Sequence, residues 1–178
     1  MLTMVKSVVV SGAIVAAAGA GYVVGAAQAV PGVSSLNAAA LKVLAPEDMK
    51  WGPAAGLAGT ETATLYGDPS KPGFYVQLNR FHPGAFSQPH YHEHDRFIMV
   101  LSGTWWVTTG AKFDPERITV PLKAGTFVTH TQREVHYDGA RTGSGDAVVM
   151  IFGEGPATRH ECTGPTAETT GPCASATR

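Results

Sequence analysis

The chain has 178 residues, of which 44% are hydrophobic and 15% are charged, so one domain with a packed core is expected. The 13 basic and 14 acidic residues give a net charge of −1, which excludes a broad basic surface for nucleic-acid phosphates. The two cysteines exclude a disulfide-rich scaffold and a four-cysteine zinc site.

The first 29 residues are predicted to be a signal peptide. Lys6 precedes an uncharged segment, residues 8–29, which ends in Ala27-Gln28-Ala29. The alanines occupy the −3 and −1 positions, where a signal peptidase site requires small residues. The alternative is an uncleaved membrane anchor, because the apolar run is about 20 residues long. Since the run lacks Leu and Phe, we favour cleavage before Val30 and a periplasmic or secreted protein without stable membrane association.

The rest of the chain predicts an all-β fold, an antiparallel β-sandwich or barrel. Short alternating segments are separated by loops rich in Gly, Pro, Asp and Ser, and no long helical period is present. We predict an N-terminal arm at 30–64, with an approach loop at 51–63, and then a barrel at 65–156. The predicted strands cover residues 74–79, 97–101, 104–108, 126–130 and 147–152.

Residues 157–178 are predicted to be an irregular surface tail, because they contain no Val, Ile, Leu, Met or aromatic residue. The tail is therefore expected to be dispensable for any site in the barrel. It carries Cys162 and Cys173. Export into an oxidising compartment favours a disulfide between them, and their long spacing argues against the alternative, a thiolate metal site.

Histidines give the main functional signal. His90, His92 and His94 alternate along one segment, and residues two apart in a strand point to the same face. His90 and His92 can therefore direct two imidazoles at one point, with His136 as the best candidate for a third ligand. The alternative is a solvated, histidine-rich turn.

The spacing of these residues resembles the first motif of the cupin superfamily. That motif reads Gly, five residues, His-x-His, three or four residues, Glu, six residues, Gly. In this chain the matching positions are Gly84, His90, His92, Arg96 and Gly103.

The second cupin motif is half matched, by Gly125 and His136. The resemblance covers about residues 65–155 and implies a jelly-roll barrel of the small, single-domain (monocupin) branch. It also implies one divalent metal ion held by His90, His92 and His136.

The departure from the first motif is informative, because Arg96 occupies the position of the glutamate ligand. With the longer spacing the position falls on Phe97, which cannot bind a metal either. Asp95 could restore a carboxylate and His94 could supply a fourth imidazole. Without them, three neutral imidazoles leave the metal with a net charge near +2, more electrophilic than the usual cupin centre.

Three further residues have alternative interpretations. Arg96 either points inward and binds a carboxylate of the substrate, or it pairs with Asp95 or Glu93 at the rim while Phe97 points inward. His130 is either a hydrogen-bonded barrel residue or a residue that orients a ligand histidine or carries a proton. Tyr137 is a core or rim aromatic that could line the mouth of a substrate site.

The predicted function is metal-assisted chemistry on a small molecule, as a dioxygenase, lyase, isomerase or hydrolase. The alternatives are a non-catalytic module that binds a small ligand or a metal, and a structural cupin that has lost its metal. Because a chain exported unfolded must acquire metal outside the cytoplasm, zinc or copper is favoured over iron or manganese. The predicted function is also compatible with a homodimer.

Overall fold

The computed structural model describes residues 35–162 and 171–176. The predicted signal peptide lies outside the described residues. Three short helical segments are present in the described part: a 3₁₀ turn at Pro46–Asp48, helix α1 at Pro115–Ile118 and helix α2 at Pro172–Ala176. The strands are β1 Gly52–Pro53, β2 Thr60–Tyr66, β3 Gly73–Phe81, β4 His90–Tyr91, β5 Arg96–Ser102, β6 Thr104–Thr109, β7 Val120–Lys123, β8 Phe127–His130, β9 His136–Gly139, β10 Ala147–Gly155 and β11 His160–Glu161.

The strands form two antiparallel sheets, as the sequence predicted. Sheet I has the order β1-β2-β3-β10-β5-β8, and sheet II has the order β11-β4-β9-β6-β7. The main core cluster lies between the sheets. It combines Tyr75, Phe81, Ile98, Val100, Ala147, Val149 and Ile151 of sheet I with Trp105 of sheet II and Ala140, which follows β9.

Alternation along the strands determines which side chains enter the core. In β10, Ala147, Val149, Ile151 and Gly153 are buried and alternate with partly exposed residues, because successive side chains in a strand point to opposite faces. Burial of each large aliphatic side chain contributes about 1.5–3 kcal/mol. The inner faces of both sheets therefore stabilise the barrel and surround the space between them.

Two glycines that match positions of the cupin motifs lie in turns between strands. Gly103, between β5 and β6, has φ +73°, and Gly125, between β7 and β8, has φ +89°. A side chain on Gly103 would also collide with the carbonyl oxygen of Asp146. Left-handed backbone is accessible to glycine at little cost, so these residues permit the turns that position β5 and β8.

Sheet I begins at an earlier residue of the chain than the sequence analysis predicted. Residues 51–63 were expected to form a loop, but β2 begins at Thr60 and pairs with β3, with Thr60 opposite Phe81. Alternating Thr60, Thr62 and Thr64 favour a strand, and pairing along β3 outweighs the Gly, Ala and Pro content of the preceding residues. The boundary predicted at residue 65 falls inside this strand.

The C-terminal segment is more than a surface tail. It contains the predicted disulfide, Cys162–Cys173, and Cys173 is buried against Tyr91 and Val135. Strand β11 pairs with β4, placing His160 opposite Tyr91. The segment lacks large apolar side chains, but its backbone and disulfide complete one end of sheet II. Within the described residues, no helix has the length and apolar character needed to cross a membrane.

Candidate metal centre

Three histidines from sheet II converge in the space between the sheets. His90 in β4 lies directly opposite His136 in β9, and His92 follows two residues after His90 on the same side. All three are buried, and their candidate ligand atoms lie within 4.8 Å of one another. His90 Nε2 and His92 Nε2 are 3.1 Å apart.

Backbone carbonyls fix the tautomer of each ring. Nδ1 of His90 is 2.7 Å from the carbonyl oxygen of Gln88, and Nδ1 of His136 is 2.9 Å from that of Glu134. Nδ1 of His92 contacts the carbonyl oxygen of Thr158. A carbonyl oxygen only accepts, so each Nδ1 must carry the proton and donate it. The three Nε2 atoms carry lone pairs that face one another, which is the usual state of metal-binding histidines. The lone pair of His92 also accepts a hydrogen bond from Arg96.

The surroundings keep these imidazoles neutral. Burial lowers the pKa of His136 to about 4. Burial also lowers the pKa of His90, reinforced by the positive charge that His136 would carry, and that of His92, reinforced by Arg96. Neutral imidazoles are the form that binds metals.

A divalent metal fits this donor set. Nε2 of His136 is buried and has no hydrogen-bond partner within the described part of the chain. Lone pairs that face one another without a proton between them repel, and a cation coordinated by them would remove that cost. Three protein nitrogens and an open fourth position form the arrangement of catalytic zinc sites.

The structure does not bring the other proposed ligands to this cluster. His94 and Asp95 are exposed, and Asp95 accepts a hydrogen bond from the backbone N–H of Gln132. Tyr137 also lies outside, because it alternates with His136 in β9. Its ring packs against Phe86 and Phe113.

Arg96 takes the inward position rather than the rim. Its Nη1 lies 2.6 Å from Nε2 and 3.2 Å from Nδ1 of His92. Phe97 points to the outer face of sheet I, where it packs against Phe127 and Phe152. Glu93, the suggested rim partner, instead pairs with Arg133 at 2.9 Å.

His130 also belongs to the cluster. It is opposite Arg96 in sheet I, and its ring centroid is 3.7 Å from that of His136. Its Nδ1 is buried without a hydrogen-bond partner in the described residues, unlike the hydrogen-bonded barrel residue considered from the sequence. Burial, reinforced by His136, holds the pKa of His130 well below its usual value.

Asp138 is the site residue that the sequence analysis missed. It is buried and forms a second possible metal-binding group with His130 and His136. Burial raises its pKa to about 6, although Arg96 acts in the opposite direction. The available signal was its position two residues after His136, which places both side chains on one face of β9.

The cluster lies in a cavity of about 480 Å³ that both sheets line. Sheet I contributes the amides of Gln77 and Asn79, which are joined by a hydrogen bond of 3.2 Å. Trp105 and Phe81 supply apolar walls. Pockets for small organic ligands have this size and combination of apolar surface with a few polar groups.

The fold has relatives of known structure. A polyketide cyclase from Streptomyces resistomycificus is 19% identical, with a TM-score of 0.55, over 64% of this chain and 79% of that one. A cupin-2 domain from Rhodospirillum rubrum is 15% identical, with a TM-score of 0.52, over 71% of this chain and 82% of that one. A cupin-like protein from Thermotoga maritima is 20% identical, with a TM-score of 0.50, over 66% of this chain and 93% of that one. At these identities the likeness shows the fold.

No curated protein matches the chain significantly. The family model described as the cupin domain matches residues 77–153, which include all the residues of the histidine cluster. Over these residues the chain is similar to the cupin domain, and its two-sheet barrel has the fold of the structural relatives described above.

Proposed function

We propose that this protein is an exported, metal-dependent cupin enzyme that acts on a small molecule inside the barrel. The observation that carries the proposal is the set of three buried imidazoles whose protonated Nδ1 atoms donate to backbone carbonyls, so that the three Nε2 atoms face one another beside the cavity. The similar fold of a polyketide cyclase supports an enzymatic rather than a purely structural role.

His90, His92 and His136 would hold the metal. When bound, it would polarise an oxygen of the substrate or activate water, or bind dioxygen if it is redox-active. Asp138 is the only acid among the described residues that line the cavity, so it is placed to exchange a proton with the substrate. The amides of Gln77 and Asn79 would orient polar groups of the substrate from the opposite sheet.

Zinc or copper is the proposed metal. The ligands come from β4, the segment after it and β9, so the centre forms only when the barrel closes. A chain exported unfolded would then select metal outside the cytoplasm, where imidazole ligands favour copper and zinc over iron and manganese. The disulfide is typical of proteins in such an oxidising compartment.

Elemental analysis of protein purified without a histidine tag tests the metal centre. We expect one divalent metal ion per chain. The double substitution H90A with H92A should abolish binding, because one imidazole of the three cannot retain the ion. The control is H94A, which removes an exposed imidazole outside the cluster. Unchanged stoichiometry in the double variant would refute the assignment.

Turnover separates an enzyme from a binding module. The metal-loaded protein should convert at least one member of a panel of small acids, phenols and diketones, and D138N should lower the rate while metal content stays the same. A protein that binds metal and ligands tightly but converts none of them would instead be a binding module.

A further inference from the structure

The guanidinium of Arg96 forms no ion pair with an acidic side chain in the described part of the chain, although Asp138 lines the same cavity and interacts with it electrostatically. Nη1 of Arg96 donates to Nε2 of His92 at 2.6 Å, and its Nε is buried without a hydrogen-bond partner in the described residues. Arg159, the other cation lining the cavity, is paired with Glu161 at 2.8 Å. Arg96 has no such acidic partner in the described part of the chain.

The same charge conflicts with a metal on the three histidines. Arg96 Nη1 lies 2.6 Å from His92 Nε2, and a metal–nitrogen bond is about 2.1 Å long. A metal bound by His92 would therefore lie within about 5 Å of the guanidinium, which always carries its charge. Two cations at this distance in a partly buried site repel strongly.

An anion between the two cations would resolve the conflict. A carboxylate can accept two parallel hydrogen bonds from a guanidinium edge, and it would satisfy the buried Nε of Arg96. Its negative charge would also replace that of the glutamate ligand, whose position in the cupin motif is occupied here by Arg96.

We propose that Arg96 and the three-histidine centre form one binding site for a small carboxylate, whose oxygens lie between guanidinium and metal. Metal and carboxylate then each strengthen the binding of the other, and this coupling must be reciprocal. The inference rests on the proposed function, since it requires the metal, and it narrows the substrate class to carboxylic acids. The cavity of about 480 Å³ is large enough for an aromatic acid beside Trp105.

Calorimetric titration of zinc into chelator-treated protein tests the coupling, with benzoate as the probe and benzamide as its uncharged counterpart. Saturating benzoate should tighten zinc binding about tenfold in the wild type, within the usual range of coupling between sites, and benzamide should not. R96Q removes the repulsion. It should bind zinc about tenfold more tightly than the wild type without benzoate and should lose the benzoate effect.

Two variants separate charge and geometry from general effects of substitution. R117Q removes a guanidinium whose side chain is 85% exposed, and it should behave as the wild type. R96K retains the charge but not the two-nitrogen edge, so its zinc affinity should stay low and benzoate should bind it more weakly. It also provides a second measurement if R96Q does not fold, which circular dichroism would reveal.

The outcomes distinguish the inference from the proposed function. If wild type and R96Q bind zinc equally and benzoate changes neither affinity, the coupling is overturned while the metal centre stands. If neither protein binds zinc or copper with or without benzoate, the metal centre itself is refuted. A benzoate effect of equal size in R96Q would also overturn the role of Arg96.

Discussion

Acid should destabilise the metal-free protein strongly, because the folded state buries four neutral imidazoles. Burial lowers the pKa of His90, His92, His130 and His136. The unfolded chain therefore binds more protons than the folded one below the ordinary histidine pKa of about 6.5, and stability falls as the pH falls. From pH 7 to pH 5.5, each such imidazole lowers the free energy of unfolding by about 1.2 kcal/mol.

Asp138 acts in the opposite direction. Its folded pKa is raised to about 6, so the folded state binds the extra proton as the pH falls, and stability rises by about 0.8 kcal/mol over the same interval. The four imidazoles together lose about 5 kcal/mol, which leaves a net loss of about 4 kcal/mol. With a urea slope of about 2 kcal/mol/M, the unfolding midpoint should fall by about 2 M.

Urea titration of chelator-treated protein at the two pH values measures this loss. H130Q should reduce it by about 1.2 kcal/mol and D138N should increase it by about 0.8 kcal/mol, since the two groups have opposite signs. H94Q is the matched control, because His94 is exposed in the folded protein. A midpoint that is the same at both pH values would refute the reasoning.

Four further outcomes are expected. Mass spectrometry of the exported protein should show Val30 as the first residue, and an intact Met1 in a membrane fraction would contradict cleavage. Replacing both cysteines by serine should lower the free energy of unfolding by about 2–3 kcal/mol in urea titration, for a bridge across a sequence separation of 11. Deleting residues 157–178 should weaken zinc binding in calorimetry, because the carbonyl of Thr158 holds the ring of His92; unchanged affinity would show that this contact is dispensable. Protein recovered from its native compartment should contain mainly zinc or copper, and a predominance of iron or manganese would overturn the export argument.

Local pattern was enough to predict an antiparallel β-fold, whereas the resemblance to the cupin motifs was needed to predict that His90, His92 and His136 converge. The barrel strands alternate, and their turns are marked by residues such as Gly103 and Gly125, which need left-handed backbone. Strand β2 was missed because its threonines follow a segment rich in Gly, Ala and Pro, and pairing with β3 decides its conformation. That pairing joins residues far apart in sequence, so a local pattern cannot show it.

A local sequence pattern also cannot show burial or backbone contacts, and this is why Asp138 and the role of the C-terminal segment were missed. Asp138 shares a face with His136, but the burial that raises its pKa exists only in the folded barrel. The C-terminal segment was judged by its side chains and therefore appeared dispensable, whereas it contributes a backbone carbonyl to His92 and a strand beside β4. Contributions of backbone atoms leave no signal in residue type.

Arg96 shows how one residue can change the charge of a site that the strands position. The motif that it resembles places a glutamate there, which would lower the charge of a metal centre and complete its ligands. Arginine at the same inward position adds a positive charge beside His92, so the cavity gains a cation where the resemblance implies an anion. Asp138, the one acid among the described residues that line the cavity, forms no ion pair with Arg96, so Arg96 has no negative charge in direct contact with it among those residues. A substrate that carries a carboxylate would supply such a charge, and would then complete the metal centre on which its own conversion depends.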